Sequence, residues 1–283
     1  MFVAECLLDC YESGVGRTEA AWALSALQKI FPRSSFRTGW KVLDSYQQQV
    51  PPKQAPAAPP EVIQGMIAMA LLLNRPHLAG LMLLCYVGLL RVREALSLTK
   101  KDVIIDSKAI VLCLGRTKRG MEQRVVLTNA AVRSWIVQFL LGFNPKGDDD
   151  FILDLSYSAA LRGVKRISEL LGVGELHLTT HTFRRSGASE LSRQGVALPD
   201  ILLYGRWLSE RAAHDYNRKG EVAIIRAQQS VKPSDWTLVL RWGSFAAKAW
   251  SCYDYMYKQK RFLVDMRQLS IQKLAKVEEH LFQ

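Results

Sequence analysis

Five of the chain's ten prolines fall within residues 51–60, Pro51-Pro52-Lys53-Gln54-Ala55-Pro56-Ala57-Ala58-Pro59-Pro60. Proline lacks a backbone N–H and fixes φ, so no helix interior or central strand can run through such a stretch. The 283 residues are therefore expected to fold as a short piece over 1–50 and a longer one after a semi-rigid linker at 51–60. The short piece reads as helical over 17–49, with Ala21, Leu24, Leu27 and Ile30 at helical spacing. Beyond the linker, 61–73 and 76–90 read as apolar helices, Pro76 suiting a first turn. The uncharged run from Leu78 to Leu90 is too short to span a bilayer and reads as a buried helix.

Residues 103–105, 109–114 and 124–127 are short β-prone runs with turn residues between them, which predicts a small antiparallel sheet. Asn129 is placed to cap a helix whose apolar face is Val132, Trp135, Ile136, Phe139 and Leu140. Further helices are expected over 157–171, over 180–193 with Gly195 as the stop, over 199–204 and 210–218, and in the tail over 262–281. The expected fold class is mainly α with one three-stranded antiparallel sheet, an α+β domain over 61–230, followed by a helical tail at 231–283.

The formal charge is +12, and most of the excess lies between residues 61 and 230. A cationic surface of that size suits a polyanion, nucleic acid first and an anionic membrane surface second. The five cysteines (Cys6, Cys10, Cys85, Cys113, Cys252) are odd in number and scattered, without a disulfide framework or zinc spacing.

Four signals could carry chemistry. His181-Thr-Phe-Arg184 places two side chains three residues apart, hence on one helical face and able to point at one ligand, with His181 in a first turn that favours anions. A capping histidine and a surface arginine are the plainer reading. Arg91-Val-Arg93-Glu94 follows the most apolar helix, and Glu94 could orient a neighbouring guanidinium; a snorkelling surface arginine is the alternative. Lys118 sits in Gly115-Arg116-Thr117-Lys118-Arg119-Gly120 between two strands, a hairpin tip able to reach over a phosphate backbone or a solvated turn. Tyr216 follows Gly205-Arg206-Trp207; its phenol could become a nucleophile beside cations and a base, or its ring could merely pack.

Taken in order, these motifs resemble the tyrosine recombinase (phage integrase) family over about residues 61–225. Gly88-Leu-Leu-Arg91-Val-Arg-Glu94-Ala-Leu96-Ser-Leu98, with Asp102 downstream, is similar to that family's first arginine motif, and Thr117-Lys118-Arg119-Gly120 to its hairpin lysine. His181-x-x-Arg184 is similar to its second-arginine motif, with Trp207 23 residues after Arg184 and Tyr216 nine after Trp207. Gly-Arg-Trp stands where Leu-Gly-His is frequent, which resembles recombinases of eukaryotic tyrosine-recombinase mobile elements. Leu90 is an additional residue before the arginine and leaves Arg93 as an alternative to Arg91. Residues 1–50 would be part of the family's helical core-binding (SAM-like) domain.

The resemblance implies DNA strand cleavage and rejoining through a 3′-phosphotyrosine, without metal, ATP or other cofactor. The implied catalytic set is Arg91, Lys118, His181, Arg184, Trp207 and Tyr216, with Glu94 in support. Arg116, Arg119, Arg162, Lys165, Arg166, Arg185 and Arg206 are expected to meet DNA. The implied partner is double-stranded DNA, engaged by a homotetramer on two sites, with no membrane; the expected location is intracellular and DNA-associated, the nucleus in a eukaryote. Two other functions remain open: a decayed mobile-element protein that only binds DNA, and a type IB topoisomerase-like nicking enzyme.

Overall fold

The computed structural model describes residues 2–49, 55–116, 122–128, 136, 147–207, 220 and 222–244. The chain divides into two compact units, Met1–Gln54 and Ala55–Gln283.

The first unit holds α1 (Phe2–Glu12), α2 (Arg17–Ile30) and α3 (Arg37–Gln49). Leu7, Ala20, Leu24 and Leu43 form its small core. Gly39 lets α3 approach: a Cβ there would lie 3.2 Å from Leu7 and 3.3 Å from Leu24. The helical reading of 17–49 thus becomes two helices. Pro32 disfavours helical geometry at Phe31, whose φ of −119° ends α2. Helix α1 has no counterpart among the elements expected from the sequence.

The second unit is built on α4 (Pro60–Leu72) and α5 (Pro76–Val87). Both are buried on nearly all sides, as helices apolar all round must be. Helix α6 (Val92–Leu96) follows at once. Strands β1 (Val103–Ile105), β2 (Ile110–Arg116) and β3 (Glu122–Leu127) pair antiparallel in that order. Ile110 lies opposite Leu127 and Leu112 opposite Val125, and these four side chains are buried on one face. The pairing shifts between Cys113 and Arg116, where Gly115 has φ 72°.

Helices α7 (Tyr157–Leu170), α8 (Thr180–Arg193) and α9 (Leu198–Gly205) complete the named elements. Helix α8 packs tightly on α5: a Cβ on Gly187 would lie 2.0 Å from the Tyr86 carbonyl oxygen, so only glycine permits this approach. Residues 222–230 and 233–244 are also helical. Val239 and Trp242 enter the core of the second unit, and the expected boundary at 230/231 therefore falls inside a packed body. The second half of the expected linker packs as well. Ala57 and Ala58 are buried, and Pro60 already opens α4. The expected helices at 129–140 (apart from Ile136, which is buried), 210–218 and 262–281 lie outside the described residues.

Candidate active site

Helix α5 ends at Gly88, and the next residue, Leu89, takes a left-handed conformation with φ 46°. The turn redirects the chain so that Leu90 is buried and Arg91 becomes the N-cap of α6. Glu94, at the third helical position, reaches back to accept the Arg91 backbone N–H at 2.7 Å. Its other oxygen, Oε1, accepts Arg91 Nη1 at 2.5 Å. Arg91, rather than Arg93, thus carries the contact to Glu94, and its side chain remains 49% exposed.

The second arginine comes from α8. Thr179 precedes this helix, and its backbone N–H donates to Thr182 Oγ1 at 3.0 Å. His181 is exposed in the first turn. Arg184, three residues on, is only 3% exposed. Arg184 Nη1 donates to the Leu89 carbonyl, and Nη2 to the Gly205 carbonyl at 2.5 Å. Its guanidinium carbon also lies 4.7 Å from the centroid of the Trp207 ring. The indole can lie there because residue 205 is glycine: a Cβ would come within 1.7 Å of the ring.

Arg206 stands between Gly205 and Trp207 in a left-handed conformation, φ 56° and ψ 41°. Its Nη2 donates to Glu94 Oε2 at 2.6 Å and to the Leu89 carbonyl at 3.2 Å. The Arg184 Nη1 lies 3.9 Å from the same Glu94 oxygen. One carboxylate is therefore surrounded by three guanidinium groups. Burial pushes the Glu94 carboxyl up, but Arg206 and then Arg91 outweigh it and hold the group below the usual carboxylate range. The cluster keeps a net positive charge in a partly desolvated setting, which suits a phosphate diester.

Two other ionisable groups lie near the cluster. Burial pushes the Cys85 thiol up to about 12, despite the nearby Arg184. Burial likewise pushes the Tyr204 phenol up to about 12, against the pull of Arg206. Tyr204 donates its hydroxyl to the Val87 carbonyl at 2.8 Å, so this phenol is a brace and a poor nucleophile.

The structure brings Arg91, Glu94, Arg184 and Trp207 together, and His181 shares a helix with Arg184. Lys118, Arg119 and Tyr216 lie outside the described residues, and Arg116 is described only as the last residue of β2. Of the residues expected to meet DNA, Arg162 and Lys165 are exposed on α7, and Arg166 pairs with Glu169 at 3.7 Å. Two point inward instead. Arg185 is buried and donates to the Ala55 carbonyl at 2.7 Å, and Arg206 is turned onto Glu94. Each exchanges solvation of the guanidinium for charge-assisted bonds, Arg185 to a carbonyl and Arg206 to a carboxylate that Arg91 also holds. Sequence reasoning missed the Leu89 carbonyl, which receives both Arg184 and Arg206; the non-glycine left-handed turn that aims it has no residue signature.

Among the described residues, no group of three or more His, Cys, Asp or Glu side chains could hold a metal ion. No described helix is long and apolar enough to cross a membrane.

A family model described as "Phage integrase family" matches residues 62–221. No curated protein sequence matches the chain. Solved structures similar to it include the XerH site-specific recombinase bound to difH substrate, as a pre-cleavage complex. That match has 16% identity and a TM-score of 0.48, and covers 68% of this chain and 65% of that one. XerH on palindromic difH, a post-cleavage complex, matches at 16% identity and TM-score 0.46, over 62% of this chain and 53% of that one. XerA recombinase matches at 14% identity and TM-score 0.46, over 81% and 90%. The chain thus spans just under two thirds of the first of these recombinases and about half of the second.

Proposed function

Because the chain belongs to the phage integrase family, we propose that it is a DNA recombinase that cuts and rejoins strands through a tyrosyl phosphate. The observation that carries this reading is the convergence of Arg91 and Arg184, from two separate helices, on Glu94, with Trp207 packed against Arg184.

In the proposed reaction the Tyr216 hydroxyl attacks the scissile phosphorus. The new Oη–P bond forms as the P–O5′ bond breaks, leaving a 3′-phosphotyrosine and a free 5′ hydroxyl. His181 takes the phenolic proton, and Lys118 gives one to the departing O5′. Arg91, still half open to solvent, grips a non-bridging oxygen directly. Arg184 is already committed to two carbonyls; it supports the developing negative charge from a site where screening by water is weak. Trp207 holds Arg184 flat and offers its indole N–H to the phosphate. The phosphotyrosine conserves the bond energy, so rejoining is the reverse reaction with another 5′ hydroxyl. The elevated, hydrogen-bonded Tyr204 supports the assignment by disfavouring the phenol beside the cluster. The partner is double-stranded DNA, met by the exposed Arg162 and Lys165 among others. Assembly follows as a homotetramer on two sites, with the protein located on DNA, in the nucleus for a eukaryotic source.

The test uses a pool of short duplexes of random sequence, each carrying one nick, so that the short piece bearing the freed 5′ hydroxyl escapes and the adduct is trapped. The wild-type protein should give a covalent protein–DNA band, and Tyr216→Phe should bind the pool yet give none. A normal adduct yield from Tyr216→Phe would remove Tyr216 from the mechanism. Binding without any adduct in the wild type would leave a DNA-binding protein only.

A further inference from the structure

Arg206 bears two costs at once. Its φ of 56° lies in the left-handed region, where a side chain is disfavoured and glycine is not. Its side chain is only 7% exposed, and Nε is buried with no hydrogen-bond partner among the described residues. The left-handed turn itself closes α9, with the Arg206 N–H on the Leu203 carbonyl and the Trp207 N–H on the Leu202 carbonyl, but glycine would make that turn without steric cost, so the side chain is not needed to end the helix. A strained and incompletely satisfied residue that the local fold does not require points to a role for its side chain.

The contacts identify that role. Glu94 has two oxygens and three cationic neighbours, Arg91, Arg184 and Arg206. Oε1 serves Arg91 Nη1. Oε2 receives the Arg91 backbone N–H and Arg206 Nη2, with Arg184 Nη1 3.9 Å away. Without Arg206, Oε2 would keep the Arg91 backbone N–H and have Arg184 Nη1 3.9 Å away, leaving the carboxylate free to turn between Arg91 and Arg184. Arg206 also ties to the Leu89 carbonyl, at the turn that delivers Arg91.

We propose that Arg206 is a positioning residue for strand cleavage: it occupies Glu94 Oε2, so that Oε1 stays on Arg91 and keeps its guanidinium aimed at the scissile phosphate. This rests on the recombinase function proposed above. Arg206 acts through Glu94, so the two residues form one unit and their losses do not add.

The experiment compares wild type, Arg206→Gly, Arg206→Lys, Glu94→Gln and the Arg206→Gly/Glu94→Gln double variant, using the nicked random-duplex pool. Arg206→Gly relieves the backbone, so its melting temperature should hold or rise. Its single-turnover adduct rate should nevertheless fall by about 10- to 100-fold, the scale of a misaimed catalytic group. Affinity, measured in a Tyr216→Phe background, should barely change. The acid limb of the rate should move to higher pH, because Glu94 loses the cation that most lowers its titration; Arg91, Arg184 and the neutral Cys85 thiol are the groups that still face it. The double variant should be no slower than the slower single one, and Arg206→Lys should recover only part, since one ammonium can replace Nη2 at Glu94 and the Leu89 carbonyl but not Nη1 at the Tyr204 carbonyl. An unchanged rate in Arg206→Gly, a rate loss that tracks a lower melting temperature, or additive losses in the double variant would overturn the assignment while leaving the recombinase function intact. A wild-type protein that forms no adduct would overturn both.

Discussion

Arg91 and Arg184 touch the same carboxylate from opposite surroundings. Arg91 stands at a helix start with half its side chain in solvent and holds Glu94 through one short bond. Arg184 is interior, fixed by the Leu89 and Gly205 carbonyls below an indole face. An exposed ion pair contributes little to stability, whereas a buried guanidinium that satisfies two carbonyls is part of the core's polar skeleton. In the proposed reaction the two arginines would split the handling of one phosphate, Arg91 as its solvent-facing ligand and Arg184 as a buried charge that also holds three chain segments together.

The comparison is sharpest in a pair of alanine variants. Arg184→Ala should lower unfolding free energy by about 3 kcal/mol, because the Gly205 carbonyl loses its donor, the Leu89 carbonyl loses one of two, and the Trp207 ring loses the guanidinium it packs on, and should reduce adduct formation by at least about 100-fold. Arg91→Ala should show a similar kinetic loss with less than about 1 kcal/mol of destabilisation. Urea unfolding beside single-turnover adduct rates checks both; equal destabilisation would break the contrast. Gly205→Ala comes next. The added methyl displaces the Trp207 ring, so stability should fall by about 1–3 kcal/mol and the adduct rate with it, although Gly205 bears no catalytic group. A fully stable Gly205→Ala would show that the indole does not hold Arg184 in place.

The smallest effect concerns pH. Glu94 titrates below its ordinary value, so its contribution is complete above the unfolded carboxylate pKa and drains away as pH falls through the lowered folded one. Glu94→Gln should therefore flatten the acid side of a stability–pH profile, by less than about 1 kcal/mol given its partial exposure. An unaltered acid limb would place the pH sensitivity elsewhere.

How far the sequence foretells this depends on what each residue answers to. The strands are legible because Ile110, Leu112, Val125 and Leu127 alternate with outward residues, and alternation is a local property. Helix α8 is legible from residue 180 to 193, with Gly195 as its stop. Its buried face is not. Thr182, Arg184, Arg185, Ser186 and Ser189 look like surface residues until their partners, far along the chain, are known. The same limit explains Arg185 and Arg206, which charge alone marks as DNA contacts. Their carbonyl and carboxylate acceptors are 130 and 112 residues away, and no window of sequence contains both ends. Pro32 is visible, but the long apolar periodicity around it masks the break between α2 and α3.

The buried face of α8 has one more consequence. Arg185 binds the Ala55 carbonyl at 2.7 Å, and Ser186 Oγ accepts the Ala58 backbone N–H at 2.8 Å. The length of chain entering the second unit is thus cleated to the very helix that bears His181 and Arg184. A change at Arg185 or Ser186 would therefore unfasten residues 55–58 and disturb the turn of helix that carries Arg184 in a single step.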